Sequence, residues 1–346
     1  MKRMYIVSLI AVLLLALCVS DMDAQNRKAG INSAAFLKVG VGARQVALGS
    51  AVTSLNGDVT NMFWNPAGVA LNDQTLQGAI THNNWIGGLS QEALAVSYNL
   101  QDIGTISVGA MMFGINGIPA ERDNGYTDPL LQAQVIDMMT TDTYDYQDLL
   151  FQLTYSRYIT DNLSLGATAK YIHEKIDDQS ASAFGFDVGA IYSIGVLGWN
   201  IGARINNLGS DIKFYDYASP IPMTFSIGTS MVPVDAGITR WMIALDLVKP
   251  QDGVQYYYMG TELGFDKTFF IRGGWKLNYS WFGLIGSGID DGTSLRSPIQ
   301  TSLERGTMGA GVRVPFDDYV VNFDYAYTVF VSVENVHRFT ISFSMK

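Results

Sequence analysis

The chain of 346 residues contains one cysteine, Cys18, and three histidines, His82, His173 and His337. A lone cysteine excludes a disulfide framework within the chain. Cys18 also falls inside an N-terminal stretch that reads as a removable export signal, and nothing after it supplies a thiolate nucleophile or a thiolate metal ligand. The histidines stand in three different strand candidates, with no second His or Glu at ligand spacing. That pattern points to no metal, no cofactor and no Ser-His-Asp site, so no catalytic residue is expected. Charged residues make up 16% of the chain, against roughly 25% in an ordinary soluble domain. Their sum is −10, which excludes the basic face needed by a nucleic-acid partner. Long apolar runs are missing too: beyond residue 24 none approaches the roughly 20 residues of a spanning helix.

What is present begins with Lys2 and Arg3, an apolar stretch over residues 4–19, and Asp-Met-Asp-Ala ending at Ala24. This is the order of a secretory signal, and residues 1–24 are expected to be cleaved. The rest is rich in glycine (35), tyrosine (18) and phenylalanine (17), with 48% hydrophobic residues overall. Apolar surface that never gathers into a helix-length run must be dispersed. Alternation along strands disperses it, as in an outer-membrane barrel.

From Thr75 onward the period is two. In "NLSLGATAKYIHE" Leu163, Leu165, Ala167, Ala169 and Tyr171 share one face, opposite Ser164, Gly166, Thr168 and Lys170. "TRWMIALDL" and "DYVVNFDYAYTVF" behave alike, a pattern that a half-buried strand predicts and a helix does not. Fourteen such segments begin near Thr75, Glu92, Gly104, Gln147, Asn162, Ala183, Trp199, Met223, Ile238, Gln255, Thr268, Gly306, Asp318 and Val336. Tight connections such as "QDIG", "TDN" and "FDK" alternate with longer ones over 116–146, 176–182, 209–222 and 280–305. Short periplasmic turns and longer outward loops sort in this way in bacterial barrels. The expected fold is therefore all-β: a fourteen-stranded antiparallel transmembrane β-barrel (residues 74–346) in the cell outer membrane, its wall against outer-membrane lipid.

Charges within the strands fall mostly opposite the aromatics: Lys170, Asp187, Arg204, Arg240, Asp246, Glu262, Arg272, Lys276, Arg313, Asp324 and Arg338. A basic residue at mid-height on the lipid face costs about 2–4 kcal/mol. These eleven are accordingly assigned to a polar lumen. Tyr155, Trp199, Trp241, Trp275 and Tyr279 are expected at the membrane interfaces.

Residues 25–73 precede the first strand and find no place in the wall. They carry "GARQVALGSA" and then "DVTNMFWNPAGVA", in which Asn65-Pro66-Ala67-Gly68 forms a tight turn. Their small residues suit a segment folded back into the lumen. The two motifs resemble the N-terminal signature of the FadL-like outer-membrane barrels, and more closely that of the PorV/PorQ family. The resemblance implies an N-terminal lumenal hatch with Asn65, Pro66, Ala67 and Gly68 as its turn. It also implies two kinds of work. PorV-type proteins serve type IX protein secretion and the surface attachment of exported cargo proteins, with secretion-system components as partners. FadL-type proteins transport long-chain fatty acids or other hydrophobic compounds, and their ligand-pocket residues do not map one by one onto this chain. The expectation is the PorV/PorQ role, with hydrophobic-compound transport as the alternative.

Two outward segments supply a candidate apolar surface patch, Leu130, Leu131 and Met138 with Trp281, Phe282 and Leu284. The first three allow a short amphipathic helix in "DPLLQAQVIDMM". Loop carboxylates such as Asp142, Asp145, Asp177 and Asp178 lack the order of a calcium loop and read as solvated charge. "GSGIDDGTSLRS" lacks the Gly-Lys-Ser/Thr ending of a nucleotide loop. Replacing all three histidines is expected to leave the cellular role intact. Loss of function on replacing His173 or His337, with folding preserved, would reopen a hydrolase reading.

Overall fold

In a computed structural model of the protein, the described residues are 30–70, 74–101, 103–120, 142–253, 255–278, 304–330 and 333–345. The expected export signal 1–24 with Cys18, and the expected patch residues Leu130, Leu131, Met138, Trp281, Phe282 and Leu284, lie outside them, as does Tyr279. The first wall strands are β1 (Leu76–Asn84), β2 (Ser90–Asn99), β3 (Thr105–Pro119) and β4 (Thr143–Thr160). Then come β5 (Leu163–Ile176), β6 (Gln179–Ser193) and β7 (Asn200–Gly209). A small hairpin, β8 (Ile212–Phe214) and β9 (Tyr217–Ser219), interrupts the wall. The wall resumes with β10 (Thr224–Ala236), β11 (Thr239–Pro250), β12 (Tyr256–Phe265) and β13 (Phe269–Asn278). It ends with β14 (Glu304–Phe316), β15 (Tyr319–Phe330) and β16 (Val336–Met345).

Fourteen of these strands form one closed antiparallel barrel, because β1 pairs with β2 on one side and with β16 on the other. Leu76 stands opposite both Tyr98 and Met345. Closure leaves no strand edge, which is what hydrocarbon demands of a backbone that water cannot satisfy. The side chains follow the alternation. On β4, Phe151, Leu153 and Tyr155 are exposed on the outer face while Gln152, Thr154 and Ser156 are buried within.

Each expected strand start falls within four residues of the observed one. The largest differences are at β4 and β6, which begin at Thr143 and Gln179, not at Gln147 and Ala183. This corrects one loop: the expected long connection over 176–182 is only the turn between Ile176 and Gln179, where Asp177 is left-handed (φ 56). The connection 209–222 is not plain loop either, since it contains the β8–β9 hairpin. The two barrel ends still differ. One carries the tight turns and the C-terminal end of β16, and by the rule for bacterial barrels this is the periplasmic end. The other carries connections 120–142, 210–223 and 279–303 and is the outer end.

Residues 30–70 hold only short helical turns, Ala35–Lys38, Ala43–Ala47, Val59–Phe63 and Pro66–Val69. They lie inside the barrel. Ala43–Ala47 packs on β13–β16, Val59–Phe63 on β1–β3 and Pro66–Val69 on β4–β6. Residues 41–70 are mostly buried, with Leu48, Val52, Met62 and Ala67 at 0% exposure.

The outward band yields a test. Leu153 sits mid-strand on the outer face. Leu153→Arg is expected to cost about 2–4 kcal/mol of folding stability in lipid bilayers, measured by denaturant titration. A neutral effect would mean that this face does not meet hydrocarbon.

Candidate functional site

The lumen is built as a seat for the N-terminal segment, and glycine makes the seat. On β5 a Cβ at Gly166 would overlap the backbone of Pro66 and Ala67, and on β6 one at Gly189 would overlap the Asn65 side chain. On β7 Gly202 faces the Thr53 carbonyl. On β12 and β13, Gly260 and Gly274 face the backbone of Leu48 and Gly49, and on β14 Gly309 faces Ala47. Each is an inward position where the segment comes too close for a wall side chain, through its backbone at Gly166, Gly202, Gly260 and Gly274 and through a side chain at Gly189 and Gly309, the condition for which a strand glycine is suited. The sequence analysis missed these glycines. Their signal was available: glycine recurring on the polar face of strand after strand.

The turn over Asn65–Gly68 sits in this seat and is fully buried. Asn65 caps it by accepting from the Ala67 N–H (3.1 Å), while its Nδ2 donates to the Thr53 carbonyl (2.6 Å). Pro66 occupies the first helical position, where a missing N–H costs nothing. Trp64 donates from Nε1 to the Val41 carbonyl (2.8 Å), and its own carbonyl accepts from Asn206 Nδ2 (2.7 Å).

All eleven strand charges lie on the inner face or at its periplasmic rim. Asp246 Oδ2 accepts from the backbone N–H groups of Val52 and Thr53 (2.9 Å each), holding the segment's central turn. Arg204 lies over the Trp64 ring at 5.4 Å. Lys170 and Asp187 form a buried pair at 2.6 Å beside a bulge that turns both Asn206 and Asn207 inward. Glu262 gathers three guanidinium groups: Arg272 at 2.7 Å, Arg44 of the segment at 2.9 Å and Arg240 at 3.6 Å. Arg272 also reaches Asp324 (2.5 Å), and Lys276 pairs with Glu304 (2.6 Å). Arg313 stands at the rim, bonded to Asn322 (2.9 Å), and Arg338 is buried beside β1. Burial by itself would lower the Arg44 pKa, but the Glu262 charge and hydrogen bonds override it and raise it above the arginine range. No accessible pH therefore removes the Arg44 charge.

The lumen also holds an apolar cluster beside these charges. On the β2–β6 side of the outer half, Phe36 packs with Met111, Phe113, Leu150 and Ile172. Ile212 and Ile221, from the connection between β7 and β10, complete the cluster. These inward apolar residues sit where the strands rise towards the outer mouth, and they meet protein, not water.

Two cavities flank the segment. The outer one, about 320 Å³, lies between Val39, Phe63 and Trp64 of the segment and Leu150, Val248 and Tyr258 of the wall, with Lys170, Arg204 and Lys276 at its border. The inner one, about 150 Å³, is bordered by Arg44, Asp58, Arg272, Arg313 and Asp324 with Phe270 among them. The outer cavity mixes aromatic and aliphatic walls with charge; the inner one is mostly ionic.

No protein-family model matches this chain, and no curated protein matches it. Solved structures do match. The Pseudomonas putida toluene transporter TodX is 13% identical, over 88% of this chain and 98% of that one, with a TM-score of 0.54. A TodX deltaS2S3 mutant, a monoaromatic hydrocarbon channel, is also 13% identical, over 88% and 99%, with a TM-score of 0.55. A Pseudomonas aeruginosa FadL homologue is 11% identical, over 94% and 99%, with a TM-score of 0.46. The chain has the fold of the FadL-like outer-membrane barrels.

The seat predicts two outcomes. Asp246→Ala strands two buried N–H groups, each worth about 1–3 kcal/mol, and is expected to loosen the segment, read as faster proteolysis within residues 30–70 of the detergent-solubilised barrel. Asp246→Asn, which keeps an acceptor oxygen, should recover much of the loss. Deleting residues 25–73 is expected to raise ion conductance in planar bilayers, and unchanged conductance would mean that the segment does not close the lumen.

Proposed function

We propose that this protein is an outer-membrane channel for small hydrophobic compounds, taken up from the outer mouth and bound in the cavity above the N-terminal segment, which serves as a hatch. The outer cavity carries this reading. At about 320 Å³ it has the size of a small-molecule site, roughly 300–1,000 Å³, and it sets the apolar side chains Val39, Phe63, Met111, Leu150 and Val248 beside the polar groups Lys170, Arg204 and Lys276, the mixture that holds and orients a small ligand. It adjoins the buried apolar cluster around Phe36, Phe113 and Ile172, with which it shares Met111 and Leu150. The shared fold with TodX, a toluene transporter by description, adds support.

This reading replaces the PorV/PorQ role as the first choice. Secretion components and cargo proteins as partners rested on the hatch motif and on an apolar patch outside the described residues, and the comparisons lend them no support. The protein is further proposed not to be an enzyme. His82 bonds Asn84 (2.9 Å) and pairs with Glu92 (2.5 Å), His173 bonds Ser182 (2.9 Å), and His337 bonds Tyr325 (2.8 Å), all on the outer face away from both cavities. Export with cleavage after Ala24 is part of the proposal, and N-terminal sequencing of the purified protein checks it.

The test is uptake of labelled toluene and of a labelled long-chain fatty acid by cells producing the barrel. Uptake of at least one is expected, and Leu150→Asp with Val248→Asp is expected to abolish it while the barrel still assembles. No uptake of either, together with co-purification of secretion components from native membranes, would overturn the channel reading.

A further inference from the structure

We infer that the passage across the N-terminal segment opens on its β12–β16 side, where the segment is held by an ion pair in which each partner has a substitute already in place. The two sides of the seat are held differently. On the β4–β11 side, the turn over Asn65–Gly68 lies on Gly166 and Gly189, and Asp246 holds two backbone N–H groups. Pulling these apart would leave a buried carboxylate and two buried donors without those partners, the costly way to break a polar contact.

On the β12–β16 side the buried apolar contact is three alanines, Ala43, Ala47 and Ala326. So little apolar area gives little hydrophobic resistance to separation. Beside it stand the contact of the Leu48 and Gly49 backbone with Gly260 and Gly274, hydrogen bonds from the Ala43 and Gly49 N–H groups to the Thr340 and Thr307 hydroxyls (2.8 and 3.1 Å) and from the Thr307 hydroxyl to the Ala47 carbonyl (3.2 Å), and the Arg44–Glu262 pair. Breaking that pair abandons neither charge. Arg44 keeps Asp58, 3.6 Å away in its own segment, and Glu262 keeps Arg272 and Arg240. The penalty of an uncompensated buried charge is thereby avoided.

The cavities flank this same face. The outer one reaches Tyr258 and Lys276, and the inner one begins at Arg272, two inward positions before Lys276 on β13. Between them the backbone of Leu48 and Gly49 rests on Gly260 and Gly274. Displacing the segment here joins the two cavities. The inference goes beyond the channel reading by locating the passage, and a test with inorganic ions keeps the two separable.

Beyond residue 24 the chain has no cysteine, so introduced pairs are unambiguous. Ala43→Cys with Thr340→Cys ties the proposed moving side; Ser54→Cys with Ser230→Cys ties the opposite side, where the Ser230 hydroxyl lies 3.5 Å from the Ser54 carbonyl. Each double variant is reconstituted in planar bilayers in potassium chloride, oxidised with the cross-link verified by mass, and then reduced. The oxidised Ala43–Thr340 variant is expected to lose its channel openings and to regain them on reduction. The oxidised Ser54–Ser230 variant is expected to keep opening. Arg44→Ala, with no cross-link, is expected to open more often than the parent. Openings that persist in the first variant, or vanish in the second, would overturn the inference, and so would silence of both the parent and Arg44→Ala. Ion currents that follow this pattern without uptake of any hydrophobic compound would support the route and count against the proposed solute.

Discussion

Backbone polar groups that face hydrocarbon must find their partners inside the chain, and in this protein closing the sheet on itself meets that demand. Pairing of β1 with β16 removes the last free edges. A closed wall of fourteen strands, however, encloses more space than inward side chains fill. The protein fills the remainder with its own N-terminal segment, and most other features of the lumen answer to that choice. Inward glycines lower the wall where the segment passes, Asp246 satisfies its turn, and the Glu262 cluster balances its half-buried Arg44.

The wall and the segment are thus fitted to each other through their backbones more than through their side chains. Side-chain packing can be retuned by exchanging one residue for another of similar volume. Backbone against backbone allows no such exchange, because any Cβ at Gly166 or Gly202 enters occupied space. The outer half follows a different logic. There the cluster of Phe36, Phe113, Leu150 and Ile172 packs as an ordinary apolar core, with a mixed cavity beside it.

Much of the wall was legible in the sequence, because a period of two needs only a contrast between neighbours. Leu165 and Tyr171 against Thr168 and Lys170 declare a strand and its two faces without reference to anything else. The turn over 177–178 was not legible: an acidic pair reads as loop whether two residues or seven separate the strands. Gly166 and Gly274 were overlooked because glycine weakens a strand pattern, and its use depends on what lies across the lumen. The role of Asp246 was hidden for a similar reason. Its facing could be read from alternation, but its partners, Val52 and Thr53, are some 190 positions away. Arg44 sits in a segment without a period, where nothing local marks it as the partner of Glu262.

The distance along the chain between the segment and its seat bears on how the molecule is made. Ala43 bonds to Thr340 on the last strand, 297 positions later, and Gly49 bonds to Thr307, 258 positions later. The first part of the chain to be synthesised is among the last to find its contacts. Contacts of such long range make for slow folding, since the loop must close before any bond rewards it. A segment touching strands around the whole circumference cannot dock on a half-built sheet and keep all its partners. Its docking therefore cannot be complete before β1 meets β16, and the finished sheet encloses a guest that belongs to the same chain.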